Sequence, residues 1–225
     1  MLRFITSADI APRAIVFDMD GVLLDSSPIH AAAYREALST VPVREFRYSR
    51  VAGMRSLDGI RTVLAENGVA ASREEIAALA SEKSRIALSR ILAENPIVPG
   101  AVAVLRKLCK SRKLALATSA SRASVNAFLD ANGLRDVFDC VVDSADAQKS
   151  KPSPDIFALA IRRLGTAPAA SLVVEDAVAG IQAAKAAGAW VCGITSTSTS
   201  DELESAGADL IIEYLEDLLD MGAAP

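Results

Sequence analysis

Apolar residues run without a break from Ala14 to Phe17, then meet two acids, Asp18 and Asp20, followed by Gly21 and a second apolar patch, Val22-Leu23-Leu24. A strand buried on both faces reads as continuous Val, Ile and Phe, so residues 14–17 predict a strand at the centre of a sheet. Downstream the period changes. Pro28–Leu38 predicts a helix with Pro28 in its first turn. Two more helical stretches follow, Leu57–Asn67 stopped by Gly68 and Arg73–Glu94 capped by Ser72. An irregular, arginine-rich piece (44–50) and a loop at Gly53-Met54-Arg55-Ser56 separate the first two of these helices. Residues 27–97 thus predict helices and no strand. Asn95-Pro96-Ile97-Val98-Pro99-Gly100 then punctuates the chain.

From Ala101 helices and strands alternate. Helices are predicted at Ala101–Lys110, Ser121–Asn132 (closed by Gly133), Pro154–Leu164 and Ala177–Ala187 (closed by Gly188). Strands are predicted at Leu114–Ala117, Cys140–Val142, Leu172–Val174, Trp190–Ile194 and, at an edge, Leu210–Ile212, before a C-terminal helix. This alternation predicts an α/β fold, a doubly wound, Rossmann-like parallel sheet. The core would comprise residues 1–26 and 98–225, and residues 27–97 would be an all-helical cap inserted after the first strand. The run Thr195-Ser196-Thr197-Ser198-Thr199-Ser200 is of low complexity and reads as a surface loop.

Composition narrows the picture. The 225 residues are 51% hydrophobic and 23% charged, which suits a globular chain with a sizeable core and not general disorder. The net charge of −4 provides neither a basic stripe for nucleic acid nor a polybasic patch for a membrane. No apolar run reaches the ~18–20 residues needed to span a bilayer. Residues 1–9 lack the apolar stretch of a secretory leader, so a cytoplasmic location is expected. Cys109, Cys140 and Cys192 are odd in number and in apolar surroundings, and are expected to be buried, reduced thiols.

The candidate chemistry lies where apolar runs end. Asp18 and Asp20, Thr118 and Ser119, Lys151, and Glu175 with Asp176 each follow such a run, and in a parallel sheet those ends share one edge. Acids without a His or Cys cluster form an oxygen-rich site for a hard cation such as Mg²⁺. A lysine, a hydroxyl and backbone N–H groups suit phosphate oxygens. If the strand period continues, Asp18 and Asp20 point the same way, one able to attack and the other to shuttle a proton. Taken alone, Asp-x-Asp-Gly equally suits a solvated turn.

The resemblance is carried by four stretches in order. Phe17-Asp18-Met19-Asp20-Gly21-Val22-Leu23-Leu24-Asp25-Ser26 resembles the first motif of the haloacid dehalogenase superfamily of phosphotransferases. Ala117-Thr118-Ser119 is similar to the second, Lys151-Pro152-Ser153-Pro154-Asp155-Ile156-Phe157 to the third, and Val173 to Ile181, containing Glu175-Asp176, to the fourth. The resemblance implies Asp18 as the nucleophile that becomes an aspartyl-phosphate and Asp20 as general acid/base. It implies Mg²⁺ held by the Asp18 and Asp176 carboxylates and the Asp20 backbone carbonyl, with Glu175 supporting, and Thr118 and Lys151 on the phosphoryl group. Asp20 also separates the chain from true dehalogenases, which lack that second acid.

The helical insert is similar to the four-helix cap of the β-phosphoglucomutase-like subgroup. By that likeness His30 falls on a cap-hinge histidine and Lys83 near a cap lysine, although Lys83 and Arg85 also suit a solvated helix face. Gly21, Gly53, Arg55, Ser119 and Arg122 join His30 and Lys83 as candidate substrate contacts. Where the mutases carry an arginine for a distal phosphate, Ser56 stands here, with Arg55 one residue earlier. The expected function is an Mg²⁺-dependent phosphatase of a small phosphorylated metabolite, a sugar phosphate, with a β-phosphoglucomutase-type mutase as the alternative. A receiver-type phosphoacceptor module is a further reading, disfavoured by the helical insert and the paired acids. The chain is expected to act as a monomer or weak homo-oligomer.

Overall fold

The computed structural model describes residues 11–221; the expectation about a leader in residues 1–9 lies outside them. Six parallel strands form one sheet in the order β3-β2-β1-β4-β5-β6. They are β1 (Ala14–Phe17), β2 (Lys113–Ala117), β3 (Cys140–Val142), β4 (Ser171–Glu175), β5 (Trp190–Ile194) and β6 (Leu210–Ile212). β1 is central, as its unbroken apolar run requires.

Alternate residues of each strand feed two separate cores. Ile15, Phe17, Leu116 and Val174 pack with α4 (Ala101–Leu108), α5 (Arg122–Asn132) and the short 3₁₀ helix Leu215–Asp220. Val16, Ala115, Val173 and Val191 face the other way, onto α6 (Asp155–Leu164), α7 (Val178–Ala186) and α8 (Ser200–Ala206). Each fully buried Val, Leu, Ile or Phe contributes about 1.5–3 kcal/mol, which forces a continuous apolar strand between two helical layers.

Between β1 and β2 lie α1 (Ser27–Ala37), a 3₁₀ turn (Tyr48–Arg50), α2 (Ser56–Glu66) and α3 (Arg73–Glu94). They have an apolar cluster of their own, built on Tyr34, Leu38, Ile60, Val63 and Leu64. Segment 44–50, read as irregular, forms only the 3₁₀ turn, so among the described residues the block has three α-helices where the resemblance implied four. The expected C-terminal helix is likewise one short 3₁₀ piece, and α8 stands where no helix was expected. Its capping box, Thr199 with Glu202, lies at the end of the serine–threonine run.

Two further expectations are corrected. That run is a loop, but Ser198 within it is buried and Thr197 half-buried against the first-motif turn. Cys109 is exposed on the turn after α4, Cys140 is half-buried, and only Cys192 is fully enclosed. Burial pushes the Cys140 thiol up to about 11 and that of Cys192 up to about 12. A thiol reagent at pH 8 is expected to label Cys109 alone in the folded protein and all three cysteines after unfolding. Rapid labelling of a second native thiol would contradict this burial.

Candidate active site

Strand order reverses between β1 and β4, and in open α/β sheets the crevice outside the carboxyl ends at such a point is where ligands bind. Asp18 is the first residue past β1, and its N–H extends the ladder by donating to Val174 O at 3.0 Å. Thr118 prolongs β2 in the same way, donating to Val142 O at 3.0 Å. Glu175 ends β4, and Lys151 enters from the loop after β3.

Lys151 sits between two acids. Its Nζ donates to Asp18 Oδ1 at 2.7 Å and to Glu175 Oε1, and the ammonium lies over the Phe157 ring. Only 2% of Lys151 is exposed. Glu175 Oε2 accepts the N–H groups of Asp176 and Ala177, so both its oxygens are engaged within the protein. Gly180 permits this closeness, because a methyl there would overlap the Glu175 carboxylate. Glu175 therefore positions Lys151 and the 176–177 turn, in keeping with the supporting part that the resemblance implied.

Asp18 and Asp176 remain in electrostatic tension. Burial pushes the Asp18 carboxyl up to about 7, Lys151 pulling against it and Glu175 and Asp20 adding to it. Burial also raises Asp176 well above the usual carboxylate range, helped by the charges of Glu175 and Asp18. One ammonium among three buried acids leaves net negative charge that a cation would neutralise. Among the described residues no three carboxylate, imidazole or thiol side chains gather as a ready metal cluster. Magnesium needs none: one or two carboxylates, completed by other oxygens, water and substrate phosphate, form its ordinary site. The donor set Asp18, Asp176 and the Asp20 carbonyl fits that description.

Gly21 makes the turn beside them. Its φ is +80°, and a methyl there would run into the Asp176 carboxylate. Asp20 is not brought beside Asp18 by strand alternation, as the period had implied. β1 stops at Phe17, and Asp20 lies in the following turn, in a lone bridge to Leu24. There its Oδ1 accepts from Ser26 Oγ at 2.7 Å, and His30 Nε2 approaches the same oxygen at 2.9 Å. The second approach falls short of an aligned hydrogen bond. Ser26 precedes α1 but spends its hydroxyl on Asp20 instead of capping the helix.

Lys83 Nζ reaches His30 Nδ1 at 3.0 Å. An ammonium only donates, so a neutral His30 carries its proton on Nε2, toward Asp20. Burial raises the Asp20 carboxyl, but His30 and Ser26 outweigh it and hold it at about 2. Burial and the neighbouring Lys83 lower His30, and burial lowers Lys83 to about 8. Lys83 is 6% exposed and lies over the Tyr34 ring, which excludes the solvated face considered for it; Arg85 does take that face, paired with Glu82.

A cavity of about 320 Å³ opens between these residues and the helical block, with Asp18, Asp20 and Thr118 on one side and His30, Lys83 and Ser84 on the other. Thr118 Oγ1 accepts from Ala120 N at 3.1 Å, which leaves its own proton for a ligand. Ser119 is committed: its hydroxyl donates to Gly53 O at 2.7 Å and joins the sheet to the helices. Arg55 borders the cavity, but its guanidinium donates to the carbonyls of Ala147 and Gln148. Arg122 is not brought to the cavity; it is exposed and paired with Asp143 and Asp146. Sequence reasoning missed Ser26, Tyr48, Ser84 and Thr197. Of these only Ser26, inside the quoted first motif, carried any local signal.

The haloacid dehalogenase-like hydrolase family matches residues 12–188. The chain belongs to this family. It is 33% identical over 178 residues to the phosphorylated carbohydrates phosphatase of Thermotoga maritima, covering 78% of this chain and 82% of that one. It is 36% identical over 177 residues to the fructose-1-phosphate phosphatase YqaB of Escherichia coli, covering 77% and 92%. The solved β-phosphoglucomutase of Clostridium difficile superposes with a TM-score of 0.79 at 26% identity, over 92% of this chain and 93% of that one. This haloacid dehalogenase-like hydrolase is thus an enzyme, and a receiver module is set aside.

Lys151→Met leaves Asp18 and Glu175 buried without their counter-charge, and losing one partner of such a pair costs about 3–5 kcal/mol. Urea unfolding is expected to show a loss of that order, partly recovered when Glu175→Gln is added. An unchanged midpoint in Lys151→Met would contradict the pairing described.

Proposed function

We propose that this hydrolase is a magnesium-dependent phosphatase of a small sugar phosphate, acting through a covalent phosphoryl group on Asp18. The observation that carries the reading is the meeting of Asp18, Lys151, Asp176 and Thr118 at the switch point of the sheet, next to a cavity of sugar-phosphate size. Two relatives named as phosphatases of phosphorylated carbohydrates and of fructose 1-phosphate support the substrate class. Serine hydroxyls around the cavity, among them Ser56, Ser84 and Ser124, suit a polyhydroxylated ligand.

In this reading an Asp18 oxygen attacks phosphorus and the bond from phosphorus to the ester oxygen breaks. Asp20 gives the departing alcohol its proton. Water then attacks the phosphoryl group on Asp18, Asp20 takes the water's proton, and phosphate leaves with Asp18 restored. The Asp18 and Asp176 carboxylates and the Asp20 carbonyl would hold Mg²⁺, which supplies charge neutralisation so that an anionic nucleophile can meet an anionic phosphate. Lys151 and the Thr118 hydroxyl orient the phosphoryl oxygens. Held at about 2 by His30 and Ser26, Asp20 is set as the base of the second step. Its acid role requires a looser grip by His30. Residues 27–97 act as a cap that excludes bulk water during the first transfer.

A mutase differs only in the second acceptor, a sugar hydroxyl in place of water, and the superposition on a β-phosphoglucomutase keeps that reading in view. Against it, Ser56 stands at the position of the distal-phosphate arginine and accepts a hydrogen bond from Ser84, while Arg55 is spent on backbone carbonyls.

With Mg²⁺, the protein is expected to release phosphate from sugar phosphates and not to convert β-glucose 1-phosphate to glucose 6-phosphate when primed with a bisphosphate. Primed interconversion faster than phosphate release would establish the mutase. Asp18→Asn is expected to lower phosphate release by at least roughly 10³-fold. Its unfolding midpoint should stay equal or rise, because one strained buried carboxylate becomes neutral. Retained turnover would remove Asp18 as the nucleophile.

A further inference from the structure

The serine–threonine run after β5 is more than a connection. Ser196 Oγ donates to the carbonyl of Gly21, the glycine of the first-motif turn. Thr197 Oγ1 lies 2.6 Å from Ser27 Oγ, at the first residue of α1. The same Thr197 oxygen and the Asp176 carboxylate crowd one point, the place a Gly21 side chain would fill. The Thr197 hydroxyl is near enough to Asp176 to pull its carboxyl down against burial, and Ser27 acts in the same way on Tyr48 of the helical block. Ser198, the next residue, is buried, so the run is held down beside the site and not free in solvent.

We propose that Thr197 is a positioning residue for Asp176, and that through Ser27 and Tyr48 it ties this carboxylate to the cap. The inference rests on the reading of Asp176 as a cation ligand. The direction of the chain follows from what each group can do. An ionised carboxylate only accepts, so the Thr197 hydroxyl spends its one proton on Asp176. Its oxygen then accepts from Ser27, whose own oxygen is left to accept from Tyr48. Three hydroxyls thus point their protons, one after another, toward Asp176. An outer partner of this kind fixes the orientation of a ligating oxygen and tunes its affinity without touching the reacting atoms. Because Ser27 and Tyr48 belong to the helical block, any cap movement that separates Ser27 from Thr197 weakens the hold on Asp176. Cap position and cation affinity are then coupled, each biasing the other.

The test uses the full chain and Mg²⁺ alone as the probe, read by calorimetric titration without substrate and by the Mg²⁺ dependence of phosphate release. Thr197→Val, which keeps the shape and removes the hydroxyl, is expected to raise the half-saturating Mg²⁺ concentration by roughly 10–100-fold in both readouts. At saturating Mg²⁺ its kcat should stay near that of the unaltered enzyme. Thr197→Ser is expected to restore affinity to within roughly threefold, and Ser27→Ala to weaken it in the same direction by less than Thr197→Val. Equal half-saturation in Thr197→Val and the unaltered protein overturns the role of Thr197 and leaves the phosphatase reading standing. An unaltered protein that neither binds Mg²⁺ nor needs it overturns the cation reading and this inference together. If Thr197→Val does not fold, Ser27→Ala decides: unchanged Mg²⁺ affinity in that variant overturns the chain of hydroxyls.

Discussion

The ammonium of Lys151 holds Asp18 and Glu175 together where almost no water reaches, between two strands whose order reverses beside it. Without it two carboxylates would stand buried and uncompensated, a cost of several kcal/mol each. Glu175 is in turn pinned by the N–H groups of Asp176 and Ala177, so the lysine, the first-motif acid and the fourth-motif turn form one rigid unit. Its compensation is deliberately short. One positive charge against Asp18, Glu175 and Asp176 leaves a deficit, and the raised Asp18 and Asp176 carboxyls express it. Such a site is unstable to being left alone and receptive to a cation and an electrophile, a pattern in which functional demand opposes stability.

A second polar assembly stands beside the first, around the turn after β1. Ser26, His30 and Lys83 converge on Asp20 and hold it ionised, while Asp18 is pushed the other way. Two carboxylates separated by a single residue thus occupy opposite electrostatic regimes, the separation that the proposed roles of nucleophile and proton carrier call for. Lys83 is buried at evident cost, its ammonium weakened to about 8. Its partners there are the His30 ring nitrogen and the face of Tyr34.

Several polar contacts between the helical block and the sheet lie next to the chemistry. Ser119 bonds the Gly53 carbonyl, Arg55 bonds the 147–148 carbonyls, and Ser27 meets Thr197. Beside these polar contacts, Ile29 of α1 and Ile91 of α3 are buried in the same apolar cluster as Ile15 and Phe17 of the sheet.

Much of this was legible along the chain. The unbroken run Ala14–Phe17 implied a central strand, and the alternation after Ala101 implied the parallel sheet, because burial on both faces leaves a direct mark on composition. Asp18, Thr118, Lys151 and Asp176 were legible as well, since each follows a strand and parallel strands end on one edge. What the order of residues alone could not decide was which polar group touches which. Glu175 read as a supporting residue with no partner named, and its oxygens meet Lys151 and two backbone amides. Lys83 looked equally able to face solvent, and Arg122 to reach a ligand, until the packing of α3 and the Asp143–Asp146 turn assigned their partners. Thr197 lay in a run of six small hydroxyl residues with nothing local to single it out. Burial is imprinted on sequence because it acts on every residue of a strand. A hydrogen bond between Thr197 and a residue 170 positions away is not, because only the closed tertiary structure brings the two oxygens together.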